Sequence, residues 1–146
     1  MTEQMTDAIA DANIRTVESF LTAMRDKDLG AADALLADDL VYQNVGFPTI
    51  RGRVRTMKLM RGLSKPAFGF DVKIHRTASD GNTVLNERSD ALIFGPLRLN
   101  FWVCGVFEVH DGRITLWRDY FDNLDFVKAV VRGVAAMAVP SLQRKF

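Results

Sequence analysis

The feature that most constrains the fold is a change of hydrophobic period near the middle of the 146-residue chain. Before about residue 63, apolar side chains recur every three or four residues, which is the spacing of amphipathic helices. After about residue 70, apolar and polar residues alternate, as they do along strands that bury one face. Helices followed by strands predict an α+β domain with a curved, mixed or antiparallel sheet covered on one face by the N-terminal helices.

The predicted elements follow from this spacing and from the turn residues between them. Helices are predicted over 7–25, 29–36, 51–63 and 124–131, and strands over 40–44, 70–76, 83–94, 97–109 and 113–121. Asp122 and Asn123 are expected to cap the last helix, and Gly133 is expected to end it. We expect one domain spanning 1–146, with residues 1–6 flexible and residues 134–146 forming a C-terminal tail.

Composition and charge exclude several classes of function. Nineteen basic and eighteen acidic side chains give a net charge of +1, so no basic stripe favours nucleic-acid binding. One cysteine, Cys104, and two histidines predict neither a disulfide nor a metal site, and no glycine-rich phosphate loop indicates a cofactor. No apolar stretch is long enough to span a bilayer, and the acidic N-terminal residues are unlike a signal peptide. We expect a soluble, cytoplasmic protein.

Several polar side chains are predicted to point toward the apolar interior. Side chains two residues apart in a strand share a face, so Arg88 and Asp90 lie on the same face as Leu92. Asp119 lies between two aromatic residues of its own face by the same rule. Tyr42 and Asn44 form a further pair two residues apart. Each alone is more typical of a surface ion pair or a strand-end polar residue, but together they predict a polar group inside an apolar cone.

Two carboxyls beside one guanidinium have a favourable buried arrangement. Burial of charge is costly unless the charges are paired. With one acid ionised, the other protonated and Arg88 positive, the net charge of Asp90, Arg88 and Asp119 is zero. Such a trio places a proton donor and a proton acceptor in one dry pocket, which is the requirement of general acid–base chemistry.

Three segments resemble the limonene-1,2-epoxide hydrolase family. They are Tyr42-Gln43-Asn44, the strand Glu87-Arg88-Ser89-Asp90, and Trp117-Arg118-Asp119-Tyr120-Phe121-Asp122. Their order and approximate spacing match from the first helix to about residue 131, and the last segment is the most specific. The resemblance implies a cone-shaped NTF2-like (cystatin-like) fold of the SnoaL-like superfamily and one-step opening of an epoxide by water.

The resemblance also implies a role for each site residue. It implies that Asp119 acts as the base on a water held by Tyr42 and Asn44, that Asp90 acts as the acid, and that Arg88 bridges the two acids. The expected partners are a small apolar epoxide and water, with no cofactor, no metal, no nucleic acid and no membrane. The pocket walls are expected to be Leu92, Phe101, Val103, Phe121 and Phe126.

Other functions remain open on the same fold. A ketosteroid-isomerase-like or polyketide-cyclase-like enzyme would also need an acid and a base, but the inward Arg88 between two acids argues against it. A non-catalytic NTF2-like ligand-binding module would have no reason to bury such a set. Measuring turnover of epoxides and of a ketone substrate would distinguish these hypotheses.

Two surface predictions concern assembly and the tail. The outward set Trp102, Cys104 and Val106 is unusually apolar, and the resemblance implies a homodimer, so we expect these residues to pack against a second subunit. Beyond Gly133 the apolar residues Val134, Met137 and Phe146 extend past the resembling region. We expect this tail to cap the pocket mouth, with packing on a second subunit or a disordered end as the alternatives.

Overall fold

The computed structural model describes residues 2–146, which contain helices at both ends and a sheet between them. The helices are α1 (Glu3–Arg25), α2 (Leu29–Ala34), α3 (Arg53–Gly62) and α4 (Asn123–Ala138). The strands are β1 (Leu36–Asn44), β2 (Ile50–Arg51), β3 (Phe68–Asp80), β4 (Thr83–Phe94), β5 (Leu97–His110) and β6 (Arg113–Tyr120). A 3₁₀ turn, Pro140–Leu142, follows α4. The α+β class is confirmed.

The strands form one sheet in the order β2-β1-β6-β5-β4-β3. The consecutive strands β3 to β6 are antiparallel, whereas β1 runs parallel to β6. A parallel pair needs a long crossover, and the intervening α3, β3, β4 and β5 supply it. The parallel register sets Tyr42 beside Trp117 and Asn44 beside Asp119.

Helix α1 provides most of the cover over the inner face of the sheet. Val17, Phe20 and Leu21 of this helix are almost completely buried. The ring of Phe20 meets the ring of Trp117 edge-on, with 4.9 Å between centroids. This contact fixes the helix against β6, close to the residues that the sequence singled out.

The N-terminus of α1 differs from the prediction. The helix begins at Glu3, because the side chain of Thr2 accepts a hydrogen bond from the backbone N–H of Met5 and so satisfies one of the exposed donors of the first turn. Residues 3–6, expected to be flexible, are therefore the first helical residues; Met1 lies outside the described residues.

The prediction that Gly133 ends the last helix is wrong. Asp122 caps α4 as expected, accepting from the N–H groups of Leu124 and Asp125, but the helix continues to Ala138. Gly133 is buried where α4 crosses β5, and a β-carbon there would lie 2.6 Å from the carbonyl oxygen of Arg98. The glycine serves close packing of helix on strand.

The tail beyond α4 folds back along the outer side of β5. Arg144 makes two charged hydrogen bonds to Asp125, of 2.9 and 3.1 Å, and its carbonyl oxygen accepts from the side-chain amide of Asn100. The ring of Phe146 covers the guanidinium of Arg98 at 4.6 Å. Within the described residues, no helix is long and apolar enough to cross a membrane.

Candidate active site

A cavity of about 330 Å³ lies between the inner face of the sheet and the helices. Its size suits a small organic molecule. All five residues predicted as walls line it: Leu92, Phe101, Val103, Phe121 and Phe126. Further walls, which the sequence analysis did not single out, come from the helices and from β3: Leu21, Met24, Leu59, Met60, Phe68 and Phe70.

The tail does not contribute to this cavity. The lining residues described end at Phe126 in α4, and none comes from 134–146. The expectation that the tail caps the pocket mouth is therefore wrong. The ion pair between Arg144 and Asp125 draws the tail toward α4 and the outer side of β5 instead.

The guanidinium of Arg88 lies at the centre of the polar group beside this cavity. It is completely buried, and it holds Asp90 with two hydrogen bonds of 2.9 Å, one from Nε and one from Nη2. The same Nη2 lies 2.8 Å from Oδ2 of Asp119. Alternation along β4 explains why Arg88 and Asp90 share the inner face, and Arg88 is long enough to reach across β5 to Asp119 on β6.

Asp119 has two donors on one oxygen and none on the other. Its Oδ2 accepts from the indole N–H of Trp117 at 3.1 Å and contacts Arg88. Its Oδ1 is buried without a hydrogen-bond partner among residues 2–146. An unpartnered buried acceptor costs free energy, so this oxygen is suited to receive a hydrogen bond from a bound molecule.

Tyr42 and Asn44 form a second polar pair, beside Asp119. The amide of Asn44 donates to the hydroxyl oxygen of Tyr42 at 2.8 Å. The Tyr42 ring stacks on the Trp117 ring, with 4.0 Å between centroids. Because the hydroxyl oxygen of Tyr42 acts as the acceptor in this hydrogen bond, its proton remains available to donate. The structure thus brings together the polar residues that the sequence predicted as a group.

Burial and neighbouring charges shift the protonation equilibria of this group. Burial raises the pKa of Asp119, the positive charge of Arg88 opposes it, and the negative charge of Asp90 adds to the increase, leaving the pKa above its ordinary value. Burial lowers the pKa of Arg88, but the charges of Asp119 and Asp90 outweigh it, so the guanidinium remains positive. Burial, reinforced by the Asp119 charge, raises the pKa of Tyr42, which keeps its phenol neutral.

Sequence reasoning missed three residues that touch the charged group. Strand alternation predicts Trp117 only as an apolar neighbour of Asp119, whereas its indole N–H donates a hydrogen bond to that carboxylate. Asn86 accepts from Arg88, and Gly105 lies directly against both. The parity of β4 could have identified Asn86, which lies two residues before Arg88. Gly105 had no local signal, because its importance depends on the side chains of the neighbouring strand.

No group of three or more histidine, cysteine, aspartate or glutamate side chains among residues 2–146 is placed to hold an ion. The two acids are instead bound to Arg88, which neutralises part of their charge. Two carboxyls and a guanidinium thus lie together at one end of an apolar cavity, a combination that could support acid–base chemistry.

Comparison with known proteins identifies the family of the chain. Residues 11–132 match the family model of the limonene-1,2-epoxide hydrolase catalytic domain. A curated relative, epoxide hydrolase EphG of Mycobacterium tuberculosis, is 60% identical over 127 residues, covering 87% of this chain and 85% of that protein. The fold is of the NTF2-like class. Within that class, the chain belongs to the limonene-1,2-epoxide hydrolase family and is an epoxide hydrolase of that type.

Two solved structures are similar to this chain, one in sequence and fold and the other in fold alone. The structure of an LEH-like epoxide hydrolase from M. tuberculosis superimposes with a TM-score of 0.90 at 57% identity, covering 94% of this chain and 97% of that one. An NTF2-like protein of unknown function from Burkholderia pseudomallei superimposes with a TM-score of 0.70 at 17% identity, covering 82% and 97%. The second likeness shows the fold alone.

Proposed function

We propose that this protein adds water to a small apolar epoxide in one step, giving a vicinal diol. Asp119 acts as the base, Asp90 as the acid, Arg88 as the bridge between them, and Tyr42 and Asn44 hold the water. The observation that carries this proposal is the unpartnered Oδ1 of Asp119, next to the Tyr42–Asn44 pair. A carboxylate oxygen there is positioned to take a proton from a water held by that pair.

The hydrogen-bonding capacities of these groups fit one water molecule. The hydroxyl of Tyr42 donates to the water oxygen, and the water donates to the side-chain oxygen of Asn44 and to Oδ1 of Asp119. One lone pair of the water then remains for attack on an epoxide carbon. These three side chains satisfy both hydrogens and one lone pair of the water.

The proposed step balances in atoms and protons. The water oxygen bonds to the epoxide carbon while the carbon–oxygen bond of the ring breaks. Asp90 gives its proton to the leaving oxygen, and Asp119 takes one from the water. The acid pair holds one proton before and after the step, so transfer of that proton from Asp119 back to Asp90 restores the enzyme.

The division of roles between the acids rests on their neighbours. Asp119 lies beside Asn44 in the parallel register and has the open oxygen, so it is assigned the base. Asp90 shares its strand face with the wall residue Leu92, so it is assigned to the epoxide oxygen. Both carboxyls contact Nη2 of Arg88, and in this proposal the reactive form has the proton on Asp90 and the negative charge on Asp119.

The proposed substrate is apolar because the walls are. Aliphatic and aromatic side chains from α1, α3, β3, β4 and β5 surround the acid pair, and the cavity volume of about 330 Å³ suits a small cyclic or branched epoxide. Burial of the substrate between these walls also excludes bulk water, which strengthens the charge interactions at the reacting atoms.

A single turnover in heavy-oxygen water tests the one-step mechanism. With enzyme in excess over limonene-1,2-epoxide, the label should enter the diol and no carboxyl of the protein should carry it. Label found first in Asp119 would mean a covalent ester and would refute the assignment of Asp119 as a base.

A matched pair of variants tests the residue. Asp119→Asn should remove most of kcat, because an amide cannot accept the water proton, while Asp38→Asn should leave kcat unchanged. Asp38 is an exposed carboxylate that pairs with Arg53 far from the cavity. Removing one member of a buried charged set can cost about 3–5 kcal/mol of stability, so circular dichroism accompanies both assays. A folded, fully active Asp119→Asn enzyme contradicts the proposal.

We also propose that the protein is a homodimer. Trp102 is half exposed on the outer face of the sheet, where it lies next to exposed Cys104 and near half-exposed Tyr120. An apolar patch of this kind is typical of an interface. Trp102→Lys should shift the sedimentation coefficient to that of a monomer, while Val54→Lys, at an exposed position of α3, should not. A wild-type protein that already sediments as a monomer would overturn the proposal.

A further inference from the structure

The side of Arg88 that faces away from the acids is held by two residues outside the proposed reaction. Nη1 of Arg88 donates to Oδ1 of Asn86 at 3.1 Å. A β-carbon on Gly105 would lie 2.3 Å from that same Nη1 and 2.7 Å from Oδ1 of Asn86. Both residues therefore contact the nitrogen of the guanidinium that no carboxylate holds.

The sheet register explains why position 105 must lack a side chain. Gly105 lies on β5 between Asn86 on β4 and Asp119 on β6. Neighbouring strands are about 4.8 Å apart, so Arg88 must cross the whole width of β5 to reach Asp119. The missing side chain of Gly105 leaves the space through which the guanidinium passes.

Packing does not explain an asparagine at position 86. The residue is buried, and its Nδ2 has no hydrogen-bond partner among residues 2–146. A buried donor without a partner lowers the stability of the fold, a loss that an apolar side chain of similar size would avoid. The side-chain oxygen that holds Arg88 is what the asparagine contributes in return.

The neutrality of Asn86 matters as much as its oxygen. Arg88 already neutralises one negative charge, and the pair Asp90 and Asp119 carries one charge and one proton in the proposed mechanism. A carboxylate as third acceptor would add a second negative charge beside a single guanidinium. The added charge would raise the pKa of Asp119 further, as the charge of Asp90 already does.

We propose that Asn86 and Gly105 are positioning residues for the Arg88 guanidinium. Gly105 leaves the space that the guanidinium occupies, and Asn86 supplies a neutral third hydrogen-bond acceptor. Together they orient Nε and Nη2 toward Asp90 and Asp119 and add no negative charge to the group. The inference rests on the proposed function, since it concerns the charge of the same site.

Substitutions at position 86 test the positioning role of Asn86 through the pH dependence of kcat/KM. In Asn86→Asp the acid limb of kcat/KM for limonene-1,2-epoxide should move to higher pH by about one unit or more, because a third carboxylate opposes ionisation of Asp119. In Asn86→Leu, which adds no charge, kcat should fall at least about tenfold with KM little changed, because the guanidinium loses one of its anchors.

Asn13→Asp is the matched control. Asn13 is also buried and also has an unpartnered Nδ2, but it lies on α1 and lines neither the cavity nor the charged group. Its substitution should lower the unfolding midpoint without moving the acid limb. A purely structural role for Asn86 predicts the same result at both positions.

The outcomes separate this inference from the proposed function. Suppose that the wild type hydrolyses the epoxide and Asp119→Asn does not. If the acid limb of Asn86→Asp then stays at the wild-type pH, the positioning role is refuted and the proposed mechanism stands. If Asp119→Asn is active, the mechanism fails first. Should Asn86→Asp not fold, wild-type kcat in a folded Asn86→Leu enzyme still overturns the proposal.

Discussion

Gly133→Ala is the substitution for which two physical effects give opposite expectations. Within a solvated helix, alanine is about 1 kcal/mol more favourable than glycine, so the change would stabilise α4 if the position were open. The structure has Gly133 against β5, with a β-carbon 2.6 Å from the carbonyl oxygen of Arg98 and 3.0 Å from Cδ2 of Leu99. The nearest atom is backbone within a strand and cannot rotate away.

The magnitude follows from comparing the two effects. Overpacking costs about 1–3 kcal/mol, and a contact this short with fixed backbone belongs at the upper end of that range. Subtracting the gain of about 1 kcal/mol in helix propensity leaves a net loss of about 2 kcal/mol. With a urea m-value near 2 kcal/mol/M, the midpoint of unfolding should fall by about 1 M.

Gly62→Ala is the control within the same chain. Gly62 is the last residue of α3, and a β-carbon there would have no heavy atom within 4 Å. Equilibrium unfolding in urea should show an unchanged or slightly higher midpoint for this variant, with the m-value of the wild type in both. A Gly133→Ala protein as stable as the wild type would refute the close packing of α4 on β5.

The charged group and the tail lead to three further expectations. The acid limb of kcat/KM should lie above the ordinary aspartate pKa, because Asp119 must lose its proton to act and its pKa is raised; a limb at the ordinary value would contradict this. Trp117→Phe should move the acid limb of kcat/KM to still higher pH. The substitution removes the indole hydrogen bond that lowers the pKa of Asp119, and it retains an aromatic ring that can stack on Tyr42. Arg144→Ala should lower the free energy of unfolding by about 0.5–1 kcal/mol, because its pair with Asp125 is lost, and an unchanged value in urea unfolding would contradict a stabilising role for this pair.

The sequence by itself determined which side chains share a face. Alternation along β4 and β6 is a property of the extended backbone, so the inward direction of Arg88, Asp90 and Asp119 could be predicted without knowing the neighbours of either strand. Turn residues and the caps of the helices are equally local, which is why the strand order of the second half and the cap at Asp122 were found. The three segments that indicated the family lie on these predictable elements.

Only the tertiary structure decided what meets across the elements. The parallel pairing of β1 with β6 sets Asn44 beside Asp119, although 75 positions separate the two residues along the chain. Gly105 and Gly133 look like ordinary glycines in the sequence, and the reason for each is an atom contributed by a distant strand or side chain. Periodicity identifies the face of its own helix or strand on which a residue lies. Which other element packs against that face depends on contacts between segments distant in the chain, and only the tertiary structure specifies these.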